Sequence, residues 1–168
     1  MKVKQEKLPK IKIPKSPFTI ILDCLTILCL IVSIAYIFLE WNQLPEEIPI
    51  HFNLAGEPDG WGAKSFLWVL PSIGFLLWIS LSIFEKFPHL YNYFKINKDT
   101  IEKQYKNAVI MMNLLKNEST LLFSYLTWSM VQNAHGNITN LDPWILNGGI
   151  ILILITLIIF SVRSFRIK

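Results

Sequence analysis

The sequence predicts an all-α membrane protein: a four-helix transmembrane bundle with both termini cytoplasmic and a small extracytoplasmic cap between helices 1 and 2. Of the 168 residues, 52% are hydrophobic and only 17% are charged. A soluble domain has about a quarter charged residues. The hydrophobic residues are also gathered in long runs, which favours insertion into lipid over burial in a soluble core. Lysine and arginine are distributed unevenly between the connections, and this predicts the orientation.

Three of the predicted spans follow directly from apolar runs, because a helix needs about 20 apolar residues to cross the hydrocarbon core of a bilayer. Residues 18–39 form the first run and contain one carboxylate, Asp23. Residues 66–84 form the second run, and residues 144–162 form the fourth span, which is the most uniformly apolar.

The third span is predicted as part of a longer, more polar helix. Its most apolar stretch, residues 121–131, is too short to cross alone. We therefore expect a helix over residues 100–133, with only its later two-thirds in the membrane. Lys116 and Glu118 are then expected near the cytoplasmic interface or in an interior shared with other helices.

Lysine and arginine predict which side of the membrane each connection faces, because cytoplasmic loops carry an excess of both. The 41–65 loop has only Lys64, and the 134–143 loop has neither residue. The predicted units are a basic tail (1–16), helices 1 and 2 with the cap loop (17–85), a basic connection (86–106), helices 3 and 4 (107–162) and a basic tail (163–168). The first tail is short and broken by prolines, so we expect it to contact anionic lipid head groups and not nucleic acid.

Polar side chains recur at helical spacing inside two spans. They are Asn113, Asn117, Thr120, Ser124 and Thr127 in helix 3, and Thr19, Asp23, Thr26 and Ser33 in helix 1. Because polar groups are costly in lipid, both stripes are expected to turn inward and bond across helices. They form either ordinary helix–helix contacts or a hydrated path between helices 1 and 3. Asp23, Asn113 and Asn117 are the intramembrane candidates, with Lys116 as an expected partner of Asp23.

The 41–65 loop has the composition of a compact cap. Its prolines keep the chain extended, residues 50–53 alternate apolar and polar side chains as a short strand does, and residues 56–60 form a strong turn signal. Ile50 and Phe52 are expected to press on the bundle. The candidate ligand- or partner-binding residues are His51, Asn53, Asp59, Trp61 and Lys64. We expect the polar members to cluster. The alternative is a structural role, in which His51 and Asn53 bond backbone groups that the prolines leave unpaired, and Asp59 and Lys64 form an ion pair that closes the loop.

The loop also carries an ordered motif, L-P-x-x-I-P-x-H-F-N-x-x-G-x-x-D-x-W-x-x-K, followed by an apolar span with an early proline, Pro71. Over residues 20–84 the chain resembles the domain-of-unknown-function 1648 family, whose domain opens the SdpI-type immunity proteins. The resemblance implies a bacterial cell membrane and a role in immunity to a secreted peptide toxin or in signalling its presence. It implies no catalytic residue, and the second half of the chain shows no match to the rest of an SdpI-type protein.

The sequence therefore predicts a non-enzymatic recognition, immunity or signalling module with an outward-facing cap. No catalytic residue, metal site or cofactor is predicted. The expected partners are the lipid bilayer and a secreted peptide or another membrane protein, and a homo-oligomer is left open. Two alternatives remain: a small transporter or channel subunit that uses the polar faces of helices 1 and 3, and a metal-dependent membrane enzyme. The second would draw ligands from His51, Glu57, Asp59, His135 and Asp142, although no metal-binding spacing is present.

Overall fold

The computed structural model of the protein describes residues 8–93 and 96–168. Within them the elements are α1 (Pro17–Glu40), β1 (Glu47–Phe52), β2 (Pro58–Ala63), α2 (Val69–Phe84), α3 (Ile101–Ala134) and α4 (Pro143–Arg166). Short 3₁₀ turns lie at Lys64–Trp68 and Pro88–Leu90. The mostly helical class is confirmed, and the predicted third helix agrees with α3 to within one residue. The lysines at positions 2, 4, 7 and 95, on which the orientation partly rests, lie outside the described residues.

Two of the helices begin where the sequence supplies both a cap and a proline. The Ser16 hydroxyl accepts from the Thr19 amide at 3.2 Å before α1, and the Asp142 carboxylate accepts from the Trp144 amide at 2.8 Å before α4. Pro17 and Pro143 follow these caps, at a position where a helix needs no amide hydrogen. These local signals set the starting points of both helices.

The long helix α3 lies at the centre of the bundle, and α1, α2 and α4 each pack mainly against it. Its 34 residues correspond to about 51 Å at 1.5 Å per residue, more than the roughly 30 Å of a hydrocarbon core. The buried residues of α3 are largely polar, whereas the buried set of α4 is Thr156 alone. The bundle thus encloses polar side chains and leaves apolar ones on its outside.

In the described part of the chain, three helical segments are long and apolar enough to cross a membrane: Pro17–Glu40, Lys64–Phe84 and Pro143–Arg166. These segments expose most of their apolar side chains, as helices in contact with lipid do. The helix α3 is not among them, because its inward-facing polar residues lower its hydropathy. Three of the four predicted spans are therefore supported by length and composition.

Side-chain bonds hold α4 on α3 at the end where α3 begins. The Asn107 amide donates to the Phe160 carbonyl at 2.9 Å, and the Gln104 amide donates to the Ser164 carbonyl at 2.9 Å. Near the middle of α4, the Thr156 hydroxyl donates to the Glu118 carboxylate at 2.7 Å. The two helices are thus antiparallel, and α4 ends beside the start of α3.

Candidate functional site

The cap is an antiparallel hairpin whose turn is organised by Asn53. The Asn53 side-chain oxygen accepts from the amides of Ala55 and Glu57 at 2.9 and 3.0 Å. Its side-chain nitrogen donates to the Glu57 carboxylate at 2.9 Å. An asparagine that bonds to backbone amides two and four residues later stabilises a tight turn. Asn53, predicted as a binding residue, therefore has a structural position in the turn.

The hairpin is fastened to the loop between α3 and α4 at Gly56. The Leu141 amide donates to the Gly56 carbonyl at 2.8 Å. Gly56 has φ +79°, and a Cβ at this position would lie 2.1 Å from the Leu141 carbonyl oxygen. Only glycine meets both requirements without strain, since it has no side chain and tolerates a left-handed backbone.

The inner face of the hairpin rests on an apolar cluster at the end of the bundle. Ile48 of β1 is fully buried, and the other buried members of this cluster are Ile37, Leu44, Leu67, Met130 and Val131. Ile50 and Phe52 pack against the cluster while remaining partly exposed. The prediction that these two side chains contact the bundle is correct, although Ile48 is buried most completely. Burial of such a side chain is worth about 1.5–3 kcal/mol.

A second attachment lies at the base of the hairpin, around Lys64. Its ammonium lies 2.9 Å from a Glu46 carboxylate oxygen and 5.2 Å from the centre of the Trp41 ring. Trp41 in turn packs on Trp68, with ring centres 5.8 Å apart. The predicted ion pair between Lys64 and Asp59 is wrong, because each residue has a different partner.

Asp59 instead pairs with His51 across the hairpin, on the side away from the bundle. The two contacting atoms are a carboxylate oxygen and Nδ1, and the His51 side chain is 72% exposed. Gly60 faces His51 across the strands, and a Cβ at Gly60 would lie 3.0 Å from the Cβ of His51. The predicted polar cluster is thus separated into three contacts: His51 with Asp59, Asn53 with Glu57, and Lys64 with Glu46.

The histidines and carboxylates of the proposed metal set lie in separate contacts. His135 pairs with Glu40 at 3.0 Å, apart from the contact between His51 and Asp59. The Asp142 carboxylate caps α4. Among residues 8–93 and 96–168, no group of three or more His, Cys, Asp and Glu side chains is close enough to hold a metal ion.

A second polar site lies inside the bundle, around the ammonium of Lys116. This side chain is fully buried and contacts carboxylate oxygens of Asp23 and Glu85, each at 2.7 Å. The Trp78 ring lies on another side, with its centre 5.0 Å from the ammonium. The predicted contact between Lys116 and Asp23 is present. Glu85, at the end of α2, completes a pair of carboxylates that brings α1 and α2 onto α3.

Lys15, in the extended segment before α1, closes this cluster from the other side. Its ammonium contacts Asp23 and lies 2.8 Å from Glu85. Burial opposes the charge on Lys15, but hydrogen bonds to these two carboxylates outweigh it and raise the pKa of Lys15 above its ordinary value. Two ammonium groups therefore balance two carboxylates, and the cluster is neutral overall.

The asparagines of the α3 stripe complete the cluster. The Asn113 and Asn117 amides each donate to the Asp23 carboxylate at 2.9 Å, so the three intramembrane candidates bond to one another across helices as expected. The hydroxyls of the stripe also point inward, but they bond mainly within their own helix. Thr120 and Ser124, for example, donate to carbonyls four residues earlier at 2.8 and 2.9 Å.

The charged residues Lys15, Glu46 and Glu85 of these sites were not predicted from the sequence. Glu85 had a visible signal, since it directly follows the second apolar run and is the nearest carboxylate to that span. Lys15 was counted only as one lysine of the basic tail. Its specific role depends on the extended path of residues 8–16, which no sequence pattern encodes.

The comparisons with known proteins identify the segment that contains the hairpin. Residues 27–75 match the family described as Domain of unknown function (DUF1648). This range covers the later part of α1, the whole hairpin and the start of α2, and it confirms the resemblance for this segment. The match is confined to this segment, and the relation to SdpI-type immunity proteins stays a prediction.

One relative also matches part of the chain. It is an uncharacterized protein of Archaeoglobus fulgidus, 45% identical over 38 residues. The alignment covers 23% of this chain and 21% of the relative, so most of each protein lies outside the match. No solved structure matches the chain.

We expect Gly56→Ala to destabilise the cap more than Gly136→Ala does. Gly136 is a matched control, because it has φ +73° but nothing lies within 4 Å of its Cβ position. The left-handed backbone should cost each variant about 1–2 kcal/mol, and Gly56→Ala also clashes with Leu141. Hydrogen exchange of the Leu141 amide should accelerate strongly in Gly56→Ala only. Equal exchange in both variants would show that Gly56 does not fasten the hairpin.

We expect Lys116→Met to destabilise the bundle by about 3–5 kcal/mol, because it leaves two buried carboxylates with one ammonium. Lys103→Met is the control, since Lys103 is exposed on the same helix. Adding Asp23→Asn to Lys116→Met restores charge balance and should recover part of the loss. Thermal unfolding in detergent measures all four proteins. If Lys116→Met unfolds at the same temperature as Lys103→Met, the cluster does not hold the bundle together.

Proposed function

We propose that the protein is a four-span, non-enzymatic membrane module whose outward-facing hairpin recognises a partner on the extracytoplasmic side. The observation that carries this proposal is that the two faces of the hairpin make different contacts. Its inner face and its turn provide the attachment, through Ile48 and Gly56. Its outer face carries His51, Asp59 and Trp61, which are exposed and are not used for attachment.

The course of the chain supports a crossing by α3. The end of α2 meets the start of α1 at the cluster around Glu85, and the end of α4 lies beside the start of α3 through Gln104 and Ser164. If α2 and α4 both cross the membrane towards this end, α3 must cross it in the opposite direction between them. Its polar side chains are covered by the other three helices, which makes such a crossing compatible with lipid.

The distribution of charge supports the orientation. The described lysines and arginines lie at the end where α1 and α3 begin, with two exceptions: Lys64 at the base of the hairpin and Lys116, which is buried inside the bundle. An excess of these residues marks the cytoplasmic side. This distribution supports the proposal that both termini are cytoplasmic and that the hairpin lies outside, in a cell membrane. A bacterial host and immunity to a secreted peptide are what the family resemblance adds to this proposal.

A strain that lacks the gene provides the test, because its transcriptional response and its sensitivity to secreted peptides can both be measured. We expect the parent gene to reverse the changes. A triple variant with His51, Asp59 and Trp61 replaced by alanine should fail to reverse them although it inserts into the membrane normally. Asn140→Ala is the control, since Asn140 is exposed in the neighbouring outer loop.

Quantitative immunoblotting of the membrane fraction confirms that all variants reach the same level. If the triple variant complements as well as the parent, the outer face of the hairpin is dispensable and the recognition proposal is wrong. If the parent gene restores the transcriptional response but protects against no secreted peptide, the recognition proposal stands and the immunity proposal is wrong.

A further inference from the structure

The outer face of the hairpin is a small sheet surface that none of the other described elements covers. Pro49 lies opposite Trp61 and Glu47 lies opposite Ala63, so these four side chains share one face. Asp59 belongs to the same face, two residues before Trp61, and the burial of β2 alternates in step with this assignment. Trp61 is thus the large aromatic residue of this face. The Glu47 carboxylate lies diagonally across from it on β1, and the Asp59 carboxylate lies two residues away on its own strand.

Trp61 is more exposed than Trp41 and Trp68, the two tryptophans at the base of the hairpin. The rings of Trp41 and Trp68 pack against each other at a tilt of 41°, and Trp41 also faces the Lys64 ammonium. Trp61 is 55% exposed. An accessible indole face attracts an ammonium or guanidinium group. Neighbouring carboxylates add to this attraction.

The surroundings of this face are strongly acidic. Residues 40–65 and 134–143 together contain six carboxylates and a single lysine. That lysine, Lys64, is held between Glu46 and Trp41 and its side chain is only 15% exposed. Glu47, Glu57, Asp59 and Asp142 are all exposed. A surface with this balance attracts cations from a distance and repels anions.

We propose that this face docks a polypeptide segment bearing lysine or arginine, with a cationic side chain placed over Trp61 between Glu47 and Asp59. This inference rests on the proposed recognition function and names the chemistry of the partner. The arrangement at the base of the hairpin, where the Lys64 ammonium faces Trp41 and contacts Glu46, is an intramolecular version of the contact. Arginine is the better occupant, because its planar group both stacks on an indole and pairs with carboxylates.

The experiment follows the fluorine signal of Trp61 in fluorotryptophan-labelled full-length protein, held in nanodiscs of uncharged phosphatidylcholine. The signal is assigned with Trp61→Phe. The probe is a hexa-arginine peptide, and hexaglutamate is the charge-reversed control. We expect a saturable shift with hexa-arginine, none with hexaglutamate, and weaker binding as salt is raised.

The variants test the carboxylates directly. Replacing Glu47 and Asp59 with glutamine and asparagine should weaken binding by about two- to fivefold for each charge removed. Glu102→Gln is the matched control, because Glu102 is an exposed carboxylate in the first turn of α3, away from the hairpin. Unchanged signals from Trp41 and Trp68 show that the hairpin remains attached in every variant.

Three outcomes would overturn the inference: no saturable shift with hexa-arginine, an equal shift with hexaglutamate, or equal weakening by Glu102→Gln. A Trp61 signal that responds to paramagnetic lipid but not to the peptide would identify Trp61 as a membrane-interface anchor and also reject the docking site. These results test only the chemistry of the partner. Complementation by the hairpin variants is measured separately, and it would still show whether the hairpin recognises a partner of different chemistry.

Discussion

The buried ammonium of Lys116 determines how the helices are arranged. Moving an unpaired charge out of water costs several kcal/mol even after the surroundings relax, and lipid offers no compensation. Lys116 therefore requires carboxylates at its own level of the bundle, and Asp23 and Glu85 supply them from α1 and from the end of α2. Because two carboxylates around one ammonium leave an excess negative charge, Lys15 is needed as well. This single requirement brings four segments of the chain together.

The two ends of the bundle are held by different physical interactions. At the end with the charge cluster, helices meet through ion pairs and amide hydrogen bonds. At the other end, the hairpin covers an apolar cluster that includes Ile48 and Val131, and it is fastened through Gly56. A two-stranded hairpin is at best marginally stable alone, so its geometry depends on the helices beneath it. This dependence keeps the outer face in a defined position relative to the bundle.

Much of the fold could be predicted from the sequence, because the apolar runs, the proline and glycine signals and the polar stripes are all local. Asn113 and Asn117 were placed correctly on an inward face by their helical spacing. The partners of Lys64 and Asp59 were not, because the hairpin register decides which residues meet and the sequence leaves the register open. Glu85 and Lys15 were missed for a related reason: they join the cluster through tertiary contacts, Glu85 with Lys116 and Lys15 with Asp23, not through spacing along one helix.

Crossing of the membrane by the polar helix α3 is tested most directly by labelling the loops at its two ends. Single cysteines at Lys98 and Asn140, in protein with Cys24 and Cys29 replaced by alanine, are treated with a membrane-impermeant maleimide in intact cells. We expect the Asn140 position to react at once and the Lys98 position only after permeabilisation. Reaction of both positions from the same side would mean that α3 does not cross, and the proposed placement of the bundle and hairpin would be wrong.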